Sequence, residues 1–244
     1  MTWWAITDKG LVRRQNQDAY YTSCDEAASL AVLLVCDGMG GAKAGNVASA
    51  LAEKIFAEET KKSVQPGVSP DSAAETLKRA INMANKAIFD LSNADDDCRG
   101  MGTTLVASVV SGNDAVTVNV GDSRAYLVSD GAIRQVTRDH SVVEDMVERG
   151  DITREQSRTH PNKNLITRAV GTVEDVACDT FAFTIKEKDI LLLCSDGLSN
   201  LVSDEEILKE ATSAGSIGEC GKKLLDLAIS RGAPDNVTLV LFQK

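Results

Sequence analysis

The stretch "LAVLLVCDGMGG" constrains this chain more than any other: no polar side chain occurs from Leu30 to Cys36, and the run then meets Asp37 and three glycines in four positions. A carboxylate at the mouth of an apolar core costs free energy unless something pairs with it. The pattern recurs in "DILLLCSDGLS", where a second apolar run leads into Asp196-Gly197. A third acid, Asp235 in "GAPDNVTLVLF", stands just before the last apolar run. Taken singly, an Asp-Gly after a strand reads as a turn. Taken together, three strand ends bring three aspartates to one edge of the sheets, where they repel one another unless a cation sits among them. Carboxylate, carbonyl and water oxygens suit Mg²⁺ or Mn²⁺, whereas two histidines and no cysteine pairs are too few for zinc. The glycine after each aspartate then lets a backbone carbonyl approach a metal closely.

Other classes are disfavoured by composition. A net charge of -10, from 26 basic and 36 acidic residues, argues against nucleic acid as the main partner. Apolar runs have strand length, far below the ~20 residues of a membrane helix, so no membrane span is expected. The start, "MTWWAITDKGLVRR", lacks the pattern of a secretory signal, and a cytoplasmic location is expected. Cys24, Cys36, Cys98, Cys178, Cys194 and Cys220 are scattered without CxxC spacing, so no disulfide framework is expected.

Alternation predicts strands near 2–8, 18–24, 30–36, 103–111, 114–121, 123–128, 133–138, 178–185, 189–194 and 237–242. "SGND" at 111–114 and "SDGA" at 129–132 read as hairpin loops, which makes much of the sheet antiparallel. One-faced helices are predicted over 44–60 and 71–92, the second opened by Ser69 and Pro70. Ser141 with Glu144, Ser203 with Glu206 and Ser216 with Glu219 have capping-box spacing, and Gly150, Gly215 and Gly232 mark helix ends. The sum is one α+β domain over 1–244, without linker or repeat, in which helices cover sheets. Residues 140–177 are polar and fit this pattern least, as a functional or mobile insertion would.

Two further stretches point toward an anionic substrate. "TDKGLVRRQNQD" places Arg13, Arg14 and Asp18 together, although an ordinary surface arginine pair explains it equally well. "VGDSRAY" sets Asp122 after another apolar strand, which also reads as a hairpin turn with an ion pair.

The ordered blocks "DKGLVRRQNQD", "CDGMGGAKAGNVAS", "MGTTLV", "VGDSRAYL", "VTRDHS", "LITRAVG", "CSDGLSNLV" and "PDNVTLVLF" resemble the bacterial branch of the PPM/PP2C metal-dependent protein serine/threonine phosphatases, over nearly the whole chain. The resemblance implies a four-layer α-β-β-α sandwich of two antiparallel sheets, each flanked by a helix pair. It implies Mn²⁺ or Mg²⁺, two per chain with a weaker third. Asp37 matches the bridging carboxylate and Gly38 the carbonyl ligand. Asp196 and Asp235 match the other ligands of the first metal, with Asn236 behind them. Asp18 matches the acid that holds metal-bound water, and Arg13 the phosphate-gripping arginine. Asp122, with Asp196, matches the third-metal pair, and 142–165 the mobile flap. The implied reaction is direct attack on phosphoserine or phosphothreonine by water shared between two cations, without a phosphoenzyme. Implied partners are phosphoproteins, including a serine/threonine kinase that the enzyme opposes, and a monomer is expected.

Two residues depart from the wider pattern. Met39 replaces the histidine that many eukaryotic members use as general acid, which leaves water at the Asp122 site, or His160, to serve the leaving group. Gln17 stands where many relatives have glutamate and brings no charge to the second metal. A non-catalytic phosphoprotein-binding relative would be marked by loss of metal aspartates, and all five are present. A two-metal phosphodiesterase is disfavoured by the acidic balance.

Overall fold

The computed structural model describes residues 1–40 and 44–244 of the chain. Its third strand, β3 (Leu30–Met39), accounts for the apolar run from Leu30 to Cys36. Val32, Leu34 and Cys36 face one hydrophobic layer, while Ala31, Leu33 and Val35 face another. A strand covered on both faces leaves no side chain for solvent, so alternation gives way to a continuous apolar run. Full burial of each leucine contributes about 2 kcal/mol.

Two antiparallel sheets supply those faces. The strands are β1 (Thr2–Asp8), β2 (Asp18–Asp25), β3, β4 (Gly102–Thr103), β5 (Leu105–Ser111), β6 (Asp114–Val120), β7 (Arg124–Ser129), β8 (Ala132–Gln135), β9 (Asp179–Thr184), β10 (Ile190–Cys194) and β11 (Val237–Gln243). One sheet has the order β1-β11-β10-β7-β8; the other runs β2-β3-β5-β6-β9, with β4 on β3. Leu33, Val106 and Val110 meet Leu191, Leu193, Val240 and Phe242 between the sheets. Helices α1 (Gly41–Ser63) and α2 (Pro70–Ala94) cover the second sheet through Phe56, Leu77, Ile81 and Ile88. Helices α6 (Asp204–Ser213) and α7 (Ile217–Ser230) cover the first through Ile207, Leu224 and Ala228. The layers are therefore α-β-β-α, as expected. Among the described residues no helix is long and apolar enough to cross a membrane.

The differences from the sequence reading have local causes. The expected 103–111 strand is broken at Thr104, whose N–H turns to the carbonyl of Asp37 at 2.8 Å and whose hydroxyl accepts the Asp37 N–H at 2.9 Å. The expected 133–138 strand stops at Gln135, because Thr137 turns its hydroxyl to Ala125 N at 3.0 Å. Of the three expected capping boxes, only Ser203–Glu206 closes reciprocally. Glu144 instead pairs with Arg154, and Glu219 accepts from Gly215 N at 3.0 Å. Thr153 and Gln156 form a reciprocal box that the reading missed. Segment 142–165 carries α3 (Val142–Glu148) and α4 (Arg154–Thr159), and α5 (Asp196–Ser199) is one turn after β10.

Candidate active site

The acids gather where the two sheets end side by side. Asp37 lies within β3, directly across from Asp18 on β2. Facing carboxylates destabilise a strand pair unless a positive charge stands between them. Asp18 is tied to the other sheet, since Ser195 Oγ donates to its Oδ2 at 2.9 Å. Asp196 opens α5 and takes Asn200 Nδ2 on its Oδ2 at 2.9 Å. Asp235 precedes β11 and pairs with Arg13 at 2.7 Å. Asp122 stands in the turn between β6 and β7.

A cleft of about 730 Å³ is lined by Arg13, Arg14, Asp37, Gly38, Asp122, Asp196 and Asp235. A second cavity of about 510 Å³, beneath segment 142–165, shares Asp122 and Asp196 with it. Asp18 sits behind the first cleft rather than on its wall. The acids ring this space without closing on one point: among the described residues no three His, Cys, Asp or Glu side chains form a ready-made metal cluster.

Burial, reinforced by the neighbouring aspartates, pushes the carboxyls of Asp37 and Asp122 well above the ordinary range, and that of Asp196 upward. Burial lifts Asp18 to about 7, against the opposing hydrogen bonds of Thr238 and Ser195. Two carboxylate oxygens, Asp18 Oδ1 and Asp196 Oδ1, are buried without any hydrogen-bond partner. Orphaned acceptors of this kind, beside a carbonyl-bearing strand end and further carboxylates, fit a hard divalent cation.

The structure gives the glycines a packing reason beside the expected one. A Cβ at Gly38 would meet the carbonyl oxygen of Gly45 at 2.1 Å and that of Gln17 at 2.6 Å; at Gly197 it would meet the Asn236 oxygen at 1.9 Å. At both positions neighbouring backbone occupies the space a side chain would need. Asn236 also does more than stand behind Asp235. Its Oδ1 accepts Gln17 N at 2.8 Å, and its Nδ2 donates to Lys9 O at 2.8 Å and Gln15 O at 3.0 Å, so it fastens the loop that presents Arg13. His160 ends α4, accepts Asn162 N on Nδ1 at 3.1 Å and does not line the cleft. Met39 lines the cleft, half exposed. Sequence reasoning missed Ser195, Thr238 and Thr104 as supports of the acids; only the adjacency of Ser195 to Asp196 hinted at one of them.

A family model described as protein phosphatase 2C matches residues 12–217. The chain belongs to that family. A phosphatase 2C relative, the serine/threonine phosphatase stp of Listeria monocytogenes serotype 4b (strain F2365), is 36% identical over 240 residues, covering 98% of this chain and 94% of that protein. The crystal structure of the Mycobacterium tuberculosis serine/threonine phosphatase PstP/Ppp superposes with a TM-score of 0.88 at 38% identity, covering 98% of this chain and 97% of that one. The catalytic domain of PstP in complex with 2 manganese ions superposes with a TM-score of 0.86 at 37% identity, over 98% and 96% of the two chains.

Proposed function

We propose that this chain, folded as one domain, is a metal-dependent phosphatase that removes phosphate from phosphoserine and phosphothreonine in proteins, and that it works in the cytoplasm against a serine/threonine kinase. The observation that carries the reading is the meeting of Asp37, Gly38, Asp122, Asp196 and Asp235 with Arg13 and Arg14 on one cleft. Asp37, the Gly38 carbonyl, Asp196 and Asp235 would hold two Mn²⁺ or Mg²⁺ ions, Asp18 would act from behind them, and Asp122 with Asp196 would hold a weaker third. Bound there, such ions supply positive charge that offsets the phosphoryl oxygens and brings the pKa of water toward neutrality.

The protein's own groups set the rest. Arg13 is half exposed and its partner in the free protein is Asp235, so its guanidinium is already aimed into the cleft when a phosphate arrives. A planar fork of donors suits two phosphoryl oxygens at once. Ser195 orients Asp18 and is itself held by the Thr238 N–H at 3.0 Å, and Thr104 fixes the backbone on both sides of the Asp37 peptide. Cysteine does not compete as nucleophile. Burial pushes the Cys194 thiol to about 12 and those of Cys24 and Cys220 to about 11, and Cys36 rises as well. Such thiols stay protonated and unreactive at neutral pH. Segment 142–165 walls the second cavity and is the flap of this reading.

The test is phosphate release from a phosphothreonine peptide by chelator-stripped protein, with and without Mn²⁺, beside Asp37→Asn. Mn²⁺-dependent turnover that the variant lacks supports the reading; no turnover by folded protein that binds Mn²⁺ favours a phosphoprotein-binding role instead.

A further inference from the structure

His140 is 4% exposed and lies between the turn that carries Asp122 and the base of segment 142–165. The N–H of Gly121 donates to His140 Nδ1 at 3.1 Å, and the His140 N–H donates to the Gly121 carbonyl at 2.9 Å. Asn119 Nδ2 reaches the same carbonyl at 3.1 Å. Gly121 has φ 106°, and a Cβ there would meet Thr104 Cγ2 at 2.6 Å. Glycine accepts that conformation without strain, and the bonds to His140 and Asn119 fix it in place.

On the far side of the ring, Nε2 lies 3.2 Å from Asp179 Oδ2 and 3.2 Å from Arg168 Nη1, and that same Arg168 nitrogen donates to Asp179 Oδ1 at 2.9 Å. A backbone N–H can only donate, so Nδ1 is the bare acceptor and the ring proton sits on Nε2, given to Asp179. Burial lowers the imidazole's pKa from its ordinary value, in keeping with a neutral ring. The His140 carbonyl accepts Thr167 N at 2.8 Å, and Ser141 bridges to Ile166, so the same residue also joins both ends of segment 142–165.

We propose that His140 is a positioning residue: as the Nε2–H tautomer set by Asp179, it clamps Gly121 and thereby fixes where the Asp122 carboxylate stands in the cleft. The inference rests on the phosphatase reading for its consequence, but its geometry can be tested apart from catalysis. Loss of the clamp weakens the cation held through Asp122 and leaves the cations held through Asp37 largely unchanged. An outer partner of this type is typically worth about 10-fold to 100-fold in metal affinity.

Two near-isosteric variants separate the ring's halves. His140→Asn keeps an acceptor near the Nδ1 position, whereas His140→Gln places its amide near Nε2 and removes the acceptor for Gly121. Calorimetric titration with Mn²⁺ is expected to show the weakest site of His140→Gln reduced about 10-fold, as in Asp122→Asn, with His140→Asn near wild type. Equal titrations for wild type and both variants, or the reverse order, overturn the proposal. If His140→Gln does not fold, ¹⁵N NMR of the wild-type imidazole decides: a proton on Nε2 supports the clamp and one on Nδ1 overturns it. Phosphopeptide turnover is measured alongside; its absence from wild type, with the Mn²⁺ pattern intact, defeats the phosphatase reading and leaves the clamp standing.

Discussion

The two Asp-Gly strand ends look alike in sequence and are built differently. At Asp37 the strand does not stop: β3 continues through Gly38 to Met39, and the aspartate faces Asp18 across the ladder. At Asp196 the strand has already ended at Cys194, and the aspartate opens the helical turn α5. One carboxylate is delivered by an extended chain from one sheet and the other by a turn from the second sheet, yet both line one cleft. The shared motif therefore specifies where a carboxylate sits relative to an apolar strand, while the neighbours decide the local conformation. In both cases the neighbour is backbone, Gly45 and Gln17 against Gly38 and Asn236 against Gly197.

If both ends serve one site, removing either acid has nearly the same effect. Asp37→Asn and Asp196→Asn are each expected to lower kcat/KM by more than about 100-fold, and the double variant to fall little further, because groups acting as a unit do not add. Steady-state kinetics on a phosphopeptide checks this, and strict additivity would break the comparison. Next in size, Gly38→Ala and Gly197→Ala should each destabilise the fold by about 1–3 kcal/mol through overpacking, read by urea unfolding. Tolerance at one glycine alone would show that only the other is packed by its neighbour.

Arg13→Ala is expected to raise KM about 10-fold with a smaller change in kcat, the loss of one charge-assisted contact. A fall in kcat alone would place the arginine in the transition state only. The smallest effect concerns pH. Asp18 has its carboxyl raised from 3.8 to about 7 in the folded protein, so the folded state binds more protons and cation-free stability declines as pH rises between those values. A divalent cation replaces those protons, so Mn²⁺ should raise Tm more at pH 8 than at pH 5. An equal shift at both values would contradict cation binding among these raised carboxyls.

How much of this was legible follows from how local each signal is. The strands and the long amphipathic helices were readable because burial writes a period of two or of three to four into the chain, as in Leu77, Ile81, Ala84 and Ile88. The aspartates stood out because an acid after an apolar run breaks that pattern. The layer order came through family resemblance rather than periodicity. The break at Thr104, the grip of Ser195 on Asp18 across 177 positions and the fastening of the Arg13 loop by Asn236 depend on segments meeting in space. Nothing near Ser195 in the chain announces Asp18.

The most direct test of the claim that two sheets build one cation site is the electron paramagnetic resonance spectrum of chelator-stripped protein given two equivalents of Mn²⁺. The account predicts a spin-coupled pair in wild type that is lost in both Asp37→Asn and Asp196→Asn. Isolated, uncoupled Mn²⁺ signals in wild type, or a coupled pair that survives either substitution, would contradict it.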